Sequence, residues 1–399
     1  MIVERDPAEA GFEPERLARI DRHFQRYVDD GRLPGFEVVV ARDGEVVHVA
    51  RSGLRDVEAG LPVEPGTLWR IYSMTKPITS VAAMLLWEEG AFELKEPIAR
   101  FLPSFADMRV WRGGSPTKPV TVPATEPIRM WHLLTHTAGL TYGFHYGHPI
   151  DAMYRAQGFE WGGPPGHDLA ACCELWAGLP LLFEPGREWN YSVATDVLGR
   201  VIEVISGQSL DAFLAERILA PLGMTETGFG AHDPARLAAL YTPGLVRDDV
   251  LGGAALRAPT MLSGGGGLVS TAADYHRFTN MLLADGRPLL GTRTLRFMAR
   301  NHLPGGAELE AFARPAAAFA ETAFAGHGFG LGFSVVENPV EAKIAASPGE
   351  LGWGGAASTG FWVDRAERIT ALFFTQLLPS STYPLRPQLR QLVYQALVD

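Results

Sequence analysis

Ser73-Met74-Thr75-Lys76-Pro77 sets a hydroxyl and an amine three residues apart, a spacing that can make a nucleophile without histidine. Residues three apart on a helix share a face, so the Lys76 amine reaches the Ser73 hydroxyl. Pro77 lacks an N–H and fits only in a first turn, where that donor would be unsatisfied anyway. The motif therefore predicts a helix starting at about Ser73. The nucleophile then lies at the positive end of the helix dipole, where a developing oxyanion is stabilised. With 15 serines and only 4 lysines in 399 residues, chance supplies well under one Ser-x-x-Lys frame, yet there are two. The second, Ser115-Pro116-Thr117-Lys118, sits between Gly113-Gly114 and Pro119 and reads as a loop, so it is set aside. Lysine, unlike arginine, shifts its pKa readily when desolvated and so can serve as a base. The rival reading of the first frame is a helix cap and a solvated charge.

These residues need elements to hold them. Residues 14–30 read as a helix opened by Pro14, with Leu17, Ile20, Phe24 and Val28 on one face and Gly31 at its end. Two β-rich runs, Phe36–Ala41 and Val46–Arg51, meet at Asp43-Gly44, a hairpin signal. Thr67–Tyr72 leads into the Ser73 helix, which continues through Val81, Met84, Leu85 and Trp87 as a buried element. From about 95 to 260 the texture changes. Proline and glycine crowd residues 103–123 and 143–166, and helices are predicted at Ala170–Ala177, Val193–Ile205 and Leu210–Leu219. Strands return at Phe333–Glu337, Thr359–Val363 and Ile369–Gln376, and a last amphipathic helix carries Leu385, Leu389, Leu392, Val393 and Leu397. The expected fold is α+β. Residues 1–95 and 265–399 form a domain with a central antiparallel sheet flanked by helices, and residues 96–264 form an inserted, mainly helical domain.

Bulk properties exclude several functions. A net charge of −10 and no Lys/Arg-rich block argue against nucleic acid. No apolar run approaches the roughly 18 residues of a spanning helix, and Met1–Asp6 has no apolar signal region. A cytoplasmic protein without a membrane partner is expected. Cys172 and Cys173 are adjacent, which rules out an ordinary disulfide between them, and neither has a zinc-like spacing. No metal or cofactor is expected. The G-x-S-x-G elbow, H-E-x-x-H and the phosphate-binding glycine loop are all missing. Gly264–Gly267 reads as a close-packed turn, and His136 and His327 as structural histidines.

Two further motifs, Asn190-Tyr191-Ser192-Val193 and Gly352-Trp353-Gly354-Gly355-Ala356, stand in order behind Ser73-x-x-Lys76. Together the three resemble those of the serine β-lactamase and penicillin-binding-protein superfamily. The likeness is greatest to the class C β-lactamase-like branch and, within it, to the family VIII carboxylesterases. It runs over about residues 15–395 and implies a β-lactamase/transpeptidase-like fold. Tyrosine titrates near 10 and lysine slightly higher, so each alone is a poor base. An adjacent ammonium favours phenolate and burial favours neutral amine, so the pair corrects itself. The resemblance implies that Tyr191 with Lys76 takes the Ser73 proton and later activates water. It also implies that the N–H groups of Ser73 and Ala356 form the oxyanion hole. Trp353, Gly354 and Gly355 would be the substrate-side strand, the glycines allowing close approach.

Two departures bear on substrate. Penicillin-recognising relatives commonly carry Lys-Thr-Gly at the third motif, where this chain has Trp353. They also carry asparagine two places after the tyrosine, where it has Val193. Both changes favour neutral acyl esters over charged amides, and Trp161, Trp189 and Phe333 are candidate wall residues. The expectation is a serine carboxylesterase for small to medium acyl esters, with weak β-lactam hydrolysis as a side activity. The alternatives are an acyltransferase on the same machinery, a β-lactamase or D-amino-acid peptidase, and a non-catalytic sensor or scaffold.

Overall fold

The computed structural model of the chain describes residues 1–314 and 324–398. Its central sheet has eight strands: β1 (Gly35–Arg42), β2 (Glu45–Asp56), β3 (Leu61–Pro62), β4 (His327–Phe329), β5 (Ser334–Val336), β6 (Leu351–Gly354), β7 (Gly360–Asp364) and β8 (Ile369–Phe374). They lie in the order β4-β5-β6-β7-β8-β1-β2-β3, every neighbouring pair antiparallel. β1 and β8 pair with Glu37 opposite Phe374, so the two ends of the chain are joined at the middle of the sheet. Asp43 and Gly44 both take positive φ, 56° and 89°, the geometry of the tight hairpin that their identities predicted.

β1 is buried on both faces, as its run of apolar residues requires. Val39 and Ala41 face one core and Val38 and Val40 the other. The second core is closed by the terminal helices α1 (Arg19–Asp29) and α5 (Leu385–Tyr394), through Ile20, Phe24, Leu385, Leu389 and Val393. The first core holds α2 (Thr75–Glu88), α3 (Ala194–Ser206) and α4 (Ala272–Leu283). α2 has no polar face: every residue from Thr75 to Leu86 is buried. Such a helix belongs at the centre of a core. It packs against α3, so the site at its start is walled on several sides.

Between residues 96 and 264 the expected helices appear at Leu169–Ala177, at α3, and from Leu210 onward. The stretch at 103–123 differs from expectation. Its second half is a hairpin, Arg109–Ser115 with Lys118–Pro123, bent by an irregularity between Trp111 and Gly113. The glycines that suggested a loop accommodate a bulge. Ser115 and Lys118 are register partners at its exposed tip, away from any helix. Among the described residues, no helix is long and apolar enough to cross a membrane.

Candidate active site

A 3-10 turn, Tyr72–Met74, runs straight into α2. Ser73 therefore precedes the α-helix proper, Lys76 is its second residue, and Pro77 lies in its first turn. Tyr72 holds φ at 42°, a left-handed conformation that costs a bulky residue about 1–3 kcal/mol. The strand Trp69–Arg70 ahead of it is pinned by pairing with Leu268–Ser270.

The Lys76 Nζ donates to Ser73 Oγ at 3.2 Å and to the Gly265 carbonyl at 2.7 Å, and the side chain is buried. Gly265 belongs to the four-glycine run, which is close-packed at Gly264, Gly265 and Gly267 but not at Gly266. A Cβ at Gly264 would meet the Thr195 carbonyl, and one at Gly265 the Asp196 carboxylate. Asp196, on α3, accepts from Ser263 Oγ at 2.5 Å and from the Gly265 N–H at 3.0 Å. Burial pushes its carboxyl upward in pKa, and the nearby Lys76 charge and these hydrogen bonds oppose that shift. Carboxylate, glycine loop and lysine thus form one chain of contacts ending at Ser73.

Tyr191 stands beside this pair. Lys76 Nζ lies 4.4 Å from its ring centroid, and Trp353 Nε1 donates to its hydroxyl at 3.3 Å. No direct hydrogen bond joins that hydroxyl to Ser73 or Lys76. The ring is boxed by His136, Tyr142, Trp189 and Trp353, with centroids 4.9–6.1 Å away. Its backbone carbonyl accepts from His145 Nε2 at 2.7 Å and from Asn190 Nδ2 at 3.2 Å. His136 is buried beside the Tyr191 ring. It contacts Ser192 Oγ at 3.3 Å, and burial and then Lys76 hold it well below the usual histidine range, hence neutral. His327 contacts the Ala325 carbonyl at 2.9 Å. Val193 is buried at the start of α3.

β6 brings the third motif against the Ser73 turn. A Cβ at Gly355 would strike the Ile71 carbonyl, and one at Gly354 the Arg386 guanidinium. Both glycines line the cleft, and the close approach they permit is to the chain's own atoms. Among the described residues, neither the Ser73 nor the Ala356 N–H has a hydrogen-bond acceptor. The cleft in front of them has a volume of about 840 Å³ and is lined by Tyr142, Trp161, Trp189, Tyr191, Trp353 and Ala356 among others. Phe333 is buried in the core and lines no part of it.

Of the residues singled out in the sequence, Ser73, Tyr191, Trp353, Gly354, Gly355 and Ala356 line one cleft, and Lys76 is bonded to Ser73 behind it. Sequence reasoning missed the carbonyl of Gly265, the Asp196 carboxylate, His145 and Arg386. Only the glycine run carried a signal for any of them.

Comparison with known proteins identifies the family and the fold. The protein-family model described as Beta-lactamase matches residues 20–395. Esterase EstB of Burkholderia gladioli is 33% identical, the match covering 98% of each chain. Lovastatin esterase of Penicillium rubens is 30% identical over 88% of this chain and 90% of its own. Among solved structures, EstCE1, described as a hydrolase with promiscuous acyltransferase activity, superposes with a TM-score of 0.82 at 29% identity. That match covers 95% of this chain and 99% of EstCE1. By fold, by motif and by relationship, the chain belongs to the beta-lactamase family, within the serine β-lactamase and penicillin-binding-protein superfamily and beside its esterase members.

Proposed function

We propose that the protein is a serine carboxylesterase acting through an acyl-enzyme on Ser73. The Ser73 oxygen attacks the ester carbonyl while its proton passes to the Lys76–Tyr191 pair. The carbonyl oxygen, now negative, is held by the N–H groups of Ser73 and Ala356, each such donor being worth about 3 kcal/mol in transition-state stabilisation. Collapse expels the alcohol, which takes the proton. Water then attacks the acyl-enzyme by the reverse use of the same groups.

The observation that carries this reading is the buried Lys76 amine, bonded at once to Ser73 Oγ and to the Gly265 carbonyl, two residues that line a large cleft. A small acyl ester fits a volume of this size with room to spare. The apolar Trp353 and Val193 stand where charged-amide recognition would need polar groups, which supports neutral esters as substrates. Room for a second alcohol supports acyl transfer as the competing fate of the acyl-enzyme.

Ser73→Ala should abolish turnover of a p-nitrophenyl ester, by about 10³-fold or more, with the thermal transition unchanged. Near-normal activity would overturn the assignment. Running the wild-type assay with a competing alcohol and resolving acid from new ester measures how the acyl group partitions.

A further inference from the structure

Gly354 on β6 and Gly360 on β7 are direct register partners. The pairing leaves a notch in the sheet where two adjacent side chains are missing. The Arg386 guanidinium, reaching in from α5, fills it. A Cβ on Gly354 would sit within that guanidinium, and one on Gly360 would lie 2.9 Å from its Nε. From the notch Arg386 Nη2 donates to the Gly355 carbonyl at 2.9 Å and Nε to the Thr359 carbonyl at 3.1 Å. The Thr359 carbonyl also accepts the Gly355 N–H at 2.9 Å, closing the turn 355–359 between the two strands. That turn carries Ala356.

We propose that Arg386 is a positioning residue for the oxyanion hole: its planar fork, seated in the Gly354–Gly360 notch, fixes the turn so that the Ala356 N–H points at the developing oxyanion. This inference rests on the esterase reading above. Two features of the site follow from it. The peptide between Gly355 and Ala356 has its carbonyl held by Arg386 on one side, so the N–H of that same planar unit is directed to the other. Glycine at 354 is required by the guanidinium behind it, whether or not substrate touches that position. A lysine would keep the charge but could not span both carbonyls, because it lacks the rigid fork of donors.

A double-mutant cycle tests this. Arg386→Ala should lower kcat on a p-nitrophenyl ester about 10- to 100-fold, the loss expected when a transition-state donor is misaimed by about 1 Å. KM should stay within about twofold, because ground-state binding does not use that donor. Gly354→Ala, which expels the guanidinium, should show the same split. The double variant should lose no more than the worse single one, since the added methyl then meets empty space. Should Arg386→Ala fold poorly, Arg386→Lys carries the same test, with kcat lowered and KM kept. Additive losses, a loss confined to KM, or unchanged kcat in a folded Arg386 variant would overturn the proposal. If those results came with Ser73→Ala inactive, the esterase reading would stand. An active Ser73→Ala enzyme would take both down.

Discussion

At the scale of single residues, Trp353 is the position where structure changes the expected role most. Its sequence position marked it as a wall for substrate. Its indole N–H instead donates to the Tyr191 hydroxyl at 3.3 Å while its ring lines the cleft. In the proposed mechanism this donor orients the Tyr191 hydroxyl. Trp353→Phe keeps an apolar ring and removes only the donor. A hydrogen bond of this kind is worth about 1 kcal/mol net, so kcat should fall about fivefold with KM nearly unchanged. Steady-state kinetics on one ester decides the matter. A rise in KM at constant kcat would return Trp353 to the role of wall alone.

At the scale of elements, what was legible in the sequence was local. Ser73 and Lys76 are three residues apart, the Asp43-Gly44 turn is set by two adjacent positive-φ residues, and the apolar helices follow their own periodicity. What was hidden joins distant segments. Asp196 meets Gly265 across 69 residues, His145 meets Tyr191 across 46, and Lys76 meets the Gly265 carbonyl across 189. No spacing rule reaches that far. The hairpin at 109–123 was hidden for another reason, because its glycines mark a bulge and a loop equally well. The glycine run shows how an element encodes a long-range fit. A methyl at Gly265 would lie 2.6 Å from the Asp196 carboxylate, whereas one at Gly266 would have nothing nearer than 3.8 Å. Gly265→Ala must push the loop off α3 and carry the Lys76 acceptor with it. Overpacking of this sort costs about 1–3 kcal/mol, and displacing Lys76, the base of the proposed mechanism, by about 1 Å costs about 100-fold in kcat. Gly266→Ala should leave the thermal transition within about 1 °C of wild type. Equal destabilisation by both changes would refute the coupling between the loop and Asp196.

At the scale of the whole molecule, the histidines set the response to acid. Seven of the 11, at positions 132, 136, 145, 148, 276, 302 and 327, are held below the ordinary histidine pKa, burial being the largest cause in each case. His132 is pushed down to about 3, and its Nδ1 accepts the Arg129 N–H at 2.9 Å, a bond that only the form with an unprotonated Nδ1 can make. The folded pKa of these groups lies below the unfolded one, so the unfolded chain binds more protons as pH drops below about 6.5. Their stabilisation is complete above that value and is lost as pH falls toward the folded pKa. For His132 alone the loss at pH 5 is about 2 kcal/mol. Asp196, Asp274 and Glu350 have the opposite sign, since burial raises their pKa values. They favour the folded state as pH falls through their raised folded pKa values. Between pH 7 and pH 5 the His132 contribution alone should lower the unfolding temperature by about 2 °C at constant ionic strength. His132→Asn offers the Arg129 N–H an acceptor that does not titrate, so it should flatten that slope by about one proton. A transition temperature independent of pH across this window would mean that these histidines are solvated rather than buried neutral in the folded enzyme.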